Sequence, residues 1–179
     1  MAKTIILALV MLISAGGFIS PAWADRPTAQ ENVEAVQFSM NDEQFGGLRI
    51  GLTEKELTGN IACKPKKGKE LLEGATGDYV QTWKYPGCGI ELKMGSDKKG
   101  GAKRVASITL TSPASLMTKA GIHIGSTEGE VIKAYGKYRD RDGGTRKGKR
   151  FVAGSIYDGL IFLFRNGKVT EIFLGAAAE

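Results

Sequence analysis

The residues able to do acid–base or nucleophilic chemistry in this chain are few. There is one histidine, His123, set in "GIHIG" between Ile122 and Ile124. A Ser-His-Asp or Cys-His site would have to be built around that single imidazole. Two pairs of carboxylates, Glu54/Glu56 and Glu128/Glu130, have the spacing of an acid/base pair. Asp140-Arg141-Asp142-Gly143-Gly144 has the first letters of a calcium loop, but the further carboxylates and the closing glutamate are missing, and the interleaved arginines would repel a cation. Neither a G-x-S-x-G elbow nor a Walker or dinucleotide motif occurs, so no cofactor and no metal is expected.

The paired carboxylates have a second reading. Each stands three residues after a threonine, as Thr53…Glu56 and Thr127…Glu130. That spacing is a capping box: the hydroxyl accepts from an early helix N–H and the glutamate reaches back to the threonine N–H. The surrounding strings repeat as well. "GLRIGLTEKEL" (47–57) and "GIHIGSTEGEV" (121–131) align at a constant offset of 74 residues, for Gly47 and Gly121 as for Thr53 and Thr127. Leu52 and Leu57 could form a hydrophobic staple in the first copy, where the second has Ser126 in place of the leading leucine. Gly51 and Gly125 would let the chain turn into each helix. The repetition therefore reads as architecture before chemistry.

Around these helix entries the pattern is β. Tyr79–Tyr85 is rich in strand formers. Cys88, Ile90, Leu92 and Met94 alternate, as do Ala106, Ile108 and Leu110 within 105–111. Later, 151–157 leads into "LIFLF", and Asn166-Gly167 joins that run to "KVTEIFL", a strong hairpin signal. Val36, Phe38 and Met40 suggest a further strand over 33–40. Val131, Ala134, Tyr135 and Tyr138 give the second helix an apolar stripe that Gly136 should end. The lysine-rich "KPKKGK" reads as a loop. The fold class expected is α+β, with two tandem repeats, 33–111 and 112–179, each a short capped helix on a three- to four-stranded antiparallel meander. A single unit of that size buries little, so two must share a core.

This helix-entry string followed by a meander resembles two families: the SmpA/OmlA-type outer-membrane assembly lipoproteins, with one such unit, and the β-lactamase inhibitory proteins, with two in tandem. The resemblance covers most of the chain as organisation, while the matching residues are those at the helix entries. It implies domains that bind other proteins and are not enzymes. The chain departs from the lipoprotein pattern in lacking an acylated cysteine.

The first residues read as a secretory signal peptide (1–24). Lys3 is basic, Ile5–Ile13 is apolar but too short to span a bilayer, and Ala22-Trp23-Ala24 is a small-x-small cleavage site. A flexible segment, 25–32, would follow. The product is expected to be periplasmic or secreted, with no membrane span and no lipid anchor. In that oxidising setting Cys63 and Cys88 should form a disulfide.

The net charge is +6, or +5 without Lys3. "KYRDRDGGTRKGKR" (137–150) alone carries seven basic and two acidic residues. Its Arg139, Arg141, Arg146, Lys147, Lys149 and Arg150 form either a solvated loop or a docking site for an acidic protein, lipid phosphates or an envelope polyanion. Nucleic acid is not expected, since no recognised module is present. Tyr79, Trp83 and Tyr85 share one strand face and would be either core or a platform for a partner. The function expected is thus a non-enzymatic envelope binding protein; the alternative is a small hydrolase or ligand-binding enzyme with a cleft between the two units, built around His123.

Overall fold

The computed structural model describes residues 37–142 and 144–177. The expected signal peptide, the 25–32 segment and residues 33–36 lie outside them. Both predicted capping boxes are present. Thr53 N–H donates to Glu56 Oε2 (2.8 Å) and Glu56 N–H donates to Thr53 Oγ1 (3.3 Å). The same pair of bonds links Thr127 and Glu130, at 2.6 and 3.2 Å. They open α1 (Glu54–Leu57) and α2 (Glu128–Tyr135), the latter ending at Gly136. The predicted staple leucines, Leu52 and Leu57, are both buried. Where the second entry has Ser126 instead, its Oγ accepts the His123 N–H at 3.1 Å, so a hydrogen bond replaces the apolar clamp.

These caps make stability pH-dependent. Glu56 and Glu130 both titrate below the ordinary carboxylate range, chiefly because each ionised carboxylate accepts its threonine's N–H. Depressed carboxylates stabilise the fold above their unfolded-state pKa, near 4.5, and that contribution is lost as pH falls through the lower folded value. Replacing both by glutamine should flatten the acid limb of a stability–pH curve below about pH 4.5. An unchanged limb would show that the boxes are not formed in solution.

Seven strands make one antiparallel sheet: β1 (Lys66–Leu72), β2 (Tyr79–Tyr85), β3 (Ile90–Ser96), β4 (Arg104–Thr111), β5 (Arg150–Gly154), β6 (Gly159–Arg165) and β7 (Lys168–Gly175). Their spatial order is β1-β2-β3-β4-β7-β6-β5. Two meanders therefore meet where β4 pairs with β7, forming a single continuous sheet. In that seam Ile108 faces Leu174 and Leu110 faces Ile172, with Thr109 opposite Phe173 between them. Each helix entry is tied to the adjacent strand start in the same way. Gly51 N–H donates to Val105 O and Val105 N–H to Leu52 O; Gly125 N–H donates to Val169 O and Val169 N–H to Ser126 O.

One face of the sheet carries the core. Alternation places Trp83 and Tyr85, Ile90, Leu92 and Met94, Leu160 and Phe162, and Ile172 and Leu174 on it. Leu57 of α1, Val131 and Tyr135 of α2, and the entry residues Phe45, Leu48 and Ile122 complete one continuous cluster. α1 is only four residues long, so it could not cover a sheet by itself. Joining the meanders lets both helices share that cover. The predicted disulfide is formed: Cys63 and Cys88, 25 residues apart in the chain, join the loop after α1 to the turn before β3.

Two element predictions change. The lysine-rich segment from Lys66 is strand β1 and not loop. Within the expected strand at 33–40, the described part is not extended pairing: Ser39 caps a 3-10 turn at Met40–Asp42, its Oγ accepting the Asn41 N–H.

Candidate functional site

The basic segment is a pinned hairpin. After α2 the chain makes a 3-10 turn at Gly136–Tyr138, and Arg139 then bridges to Ala153 of β5. Asp140 N–H donates to Val152 O at 2.9 Å. The Asp140 carboxylate accepts Asp142 N–H through Oδ1 (2.9 Å) and Gly144 N–H through Oδ2 (2.7 Å). Thr145 Oγ1 accepts the Val152 N–H (3.0 Å). Arg146 and Arg150 pair across the tip, Arg146 N–H to Arg150 O at 2.6 Å and Arg150 N–H to Arg146 O at 2.8 Å. The tip itself is tethered to α2, where Gly148 N–H donates to Glu128 Oε1 (2.9 Å). Gly143 lies outside the described residues.

This geometry settles what Asp140 does locally. Asp140, which the sequence offered as a possible calcium ligand, directs its oxygens at backbone N–H groups and folds the loop. Among the described residues, no three or more of His, Cys, Asp and Glu are grouped to hold a metal ion.

With the backbone fixed, the cations point outward. Arg139, Arg141, Arg146, Lys147 and Lys149 are exposed and Arg150 is half-buried, its Nε donating to Gly144 O. Arg139 also lies 5.4 Å from the Phe151 ring centre. The ion pairs of the described residues lie elsewhere: Lys67–Glu54 at 2.6 Å, Lys84–Glu91 at 3.0 Å, Lys93–Glu73 at 3.0 Å and Lys103–Glu70 at 2.7 Å. The last is a charge contact without hydrogen-bond alignment at Glu70 Oε1. None of these pairs includes a hairpin residue, and the six cations outnumber the carboxylates of Asp140, Asp142 and the Gly148-bonded Glu128, so the hairpin keeps a net positive field.

The register adds two cations that sequence reasoning missed. Phe164 N–H donates to Lys149 O, which sets the end of β6 beside the hairpin. Arg165 and Lys168, both exposed, pair across the predicted Asn166-Gly167 turn at that same end. The signal was present as a basic residue on each side of the Asn-Gly pair. Only the strand pairing reveals that it extends the patch.

The other candidates resolve differently. Trp83 and Tyr85 are each 3% exposed and belong to the core, while Tyr79 is half-buried, so the three do not form an open platform. The Trp83 ring is capped by Lys67 Nζ at 3.8 Å, and its Nε1–H donates to Gln81 Oε1 at 2.9 Å. His123 is exposed, with Nδ1 2.9 Å from Ile124 O. Glu54 and Glu128 do not converge: one meets Lys67, the other the Gly148 N–H.

A cleft of about 320 Å³ opens beside α2, lined by Phe38, Asp42, Glu43, Lys119, Tyr135 and Tyr138. His123 is not on its wall. Its back is the buried carboxylate of Glu43, which accepts from the Tyr135 hydroxyl (2.7 Å), Gln44 N–H (2.9 Å) and Lys119 N–H (2.8 Å). Nothing in the sequence marked Glu43, since "NDEQF" reads as a polar turn.

No described helix is long and apolar enough to cross a membrane. Compared with known proteins, the chain matches no family model, no curated protein and no solved structure.

Proposed function

We propose that this chain is an exported, non-enzymatic binding protein of the cell envelope that captures an acidic protein or polyanion with the Arg139–Arg150 hairpin. The observation that carries this reading is a concentration of cations on a backbone held by its own hydrogen bonds, with its Asp140 carboxylate spent on N–H groups. A preordered loop loses little conformational entropy on binding, and a focused positive field speeds encounter with an acidic partner. Arg165 and Lys168 widen the same surface.

We further propose that the two halves are copies of one capped-helix-and-meander unit. Four correspondences support this: the 74-residue offset, the two capping boxes, the matching ties of each helix entry to β4 and β7, and equivalent bulges. The bulges fall between Lys93 and Met94 against β4, and between Leu163 and Phe164 against β7. The seam register agrees, since exchanging Ile108 for Ile172 and Leu110 for Leu174 reproduces the same pairs. A signal peptide at 1–24, placing the chain in the periplasm or outside the cell, completes the proposal; the Cys63–Cys88 disulfide is compatible with it.

The test is titration of soluble polyglutamate, and separately of vesicles with anionic head groups, against the chain and a variant with Arg139, Arg141, Arg146, Lys147, Lys149 and Arg150 changed to glutamine. At about 0.5 kcal/mol per exposed charge contact, the loss should reach roughly 100-fold at low salt. It should shrink as ionic strength rises. Equal binding by both proteins to both probes would end this reading.

A further inference from the structure

The two ends of the sheet are treated differently. At the β5 end the outer backbone is engaged by the hairpin, through the Arg139–Ala153 and Arg146–Arg150 bridges and the Asp140 N–H to Val152 O bond. At the other end, among the described residues, β1 has a strand partner on one side only, β2. An unpaired strand edge presents a row of N–H and C=O groups that template another strand.

Three features say what that strand should look like. First, Leu71 and Leu72 are 63% and 60% exposed, the largest exposed aliphatic pair of the described residues. They stand on opposite faces, Leu71 opposite Val80 and Leu72 opposite Tyr79, so an added strand would find apolar surface on both sides. Second, the edge is positive. Lys66, Lys67 and Lys69 stand against one acid, Glu70, whose carboxylate is taken up by Lys103 and the Gly100 N–H. Lys67 is engaged at the surface by Glu54 and the Trp83 ring, while Lys66 and Lys69 are exposed. That charge repels a second copy of β1 and complements an acidic strand. Third, the irregularity between Lys67 and Glu70 is held in place, because Gln81 Nε2 donates to Gly68 O at 2.8 Å.

We propose that β1 is a docking edge for an extended segment of another protein that is acidic at one end and aliphatic at the other, added to the sheet as an eighth strand. This goes beyond the hairpin reading, and it sits at the opposite end of the sheet order. Main-chain hydrogen bonds would supply affinity, while Lys66, Lys69, Leu71 and Leu72 would supply choice of partner.

The probe is a blocked peptide matching the seven residues of β1, glutamates alternating with valines and closing on two leucines. It is compared with the same peptide carrying lysine for glutamate, and with one N-methylated at alternate residues. The expected result is saturable binding that slows amide exchange within 66–72, weakened roughly tenfold by the lysine peptide. N-methylation should abolish binding, because it removes donors and leaves the side chains. Leu71→Thr/Leu72→Thr and Lys66→Glu/Lys69→Glu should each weaken binding, whereas the six-glutamine hairpin variant should bind the peptide as the parent does. Equal binding of the N-methylated peptide, or loss of binding in the hairpin variant, would overturn the proposal. So would concentration-dependent dimerisation abolished by the β1 substitutions, which would make a second copy the occupant.

Discussion

Glu43→Ala should remove about 3–5 kcal/mol of folding stability, a large share of the 5–15 kcal/mol that holds a typical domain together. Glu43 is 5% exposed, in the segment between the Met40–Asp42 turn and α1. Its carboxylate gathers groups distant in sequence: the Lys119 N–H, 76 positions on, and the Tyr135 hydroxyl, 92 positions on. Alanine would strand the buried Tyr135 hydroxyl at about 1–3 kcal/mol, remove the acceptor of the part-buried Lys119 N–H bond, and leave space behind Tyr135. Tyr135→Phe should cost less, because the carboxylate keeps its two backbone donors. A urea titration that moved no more for Glu43→Ala than for an exposed substitution would refute this arrangement. The same contact gives an alkaline signature. Burial, with Glu43 beside it, pushes the Tyr135 hydroxyl well above its ordinary pKa of 10.0. The folded state therefore resists ionisation that the unfolded state undergoes, and stability is lost as pH rises above about 10.

Gly89→Ala should be comparably damaging, for a backbone reason. Gly89 closes the turn between Cys88 and β3 at φ +63, a left-handed conformation that carries a strain cost for L side chains. A Cβ there would fall 2.1 Å from Thr111 O, 2.6 Å from Ala114 N and 2.8 Å from Pro113 N. All three are main-chain atoms, so no side chain can swing aside. The turn is also tied down, since Thr111 N–H donates to Gly89 O at 2.9 Å. The loss should exceed about 3 kcal/mol. Gly51→Ala supplies the control, because Gly51 has a similar φ of +81 but no atom within 4 Å of a built Cβ. Its cost should stay near the strain alone, about 1–2 kcal/mol. Equal urea midpoints for the two variants would show that the close approach at Gly89 is not present in solution.

What could be read from the letters alone followed from local rules. A capping box is decided within four residues, and both boxes stand where Thr-x-x-Glu placed them. The Asn166-Gly167 hairpin is equally local, with positive φ at both residues. The disulfide needed only the count of cysteines and the expected oxidising setting. β1 escaped because an edge strand exposed on both faces has no reason to alternate, and its lysines look like loop. The β4–β7 seam escaped because pairing 108–111 with 171–174 depends on register across the whole second half of the chain. The side of the sheet to which Trp83 turns, and the partners of Glu43, are likewise settled by distant segments. In the candidate site, the cations were legible as composition. Their anchoring, and the joining of Arg165 and Lys168 to them, were not.

The central claim is that position, and not total charge, makes the hairpin a binding surface. It is tested by two variants matched in net charge. One changes Arg141, Arg146, Lys147 and Lys149 to glutamine; the other changes Lys55, Lys64, Lys98 and Lys99, which are exposed elsewhere. Polyglutamate affinity at low salt should fall on the order of 30-fold in the first and less than about threefold in the second. Equal losses in both would contradict the account, reducing the hairpin to one part of a diffusely basic surface.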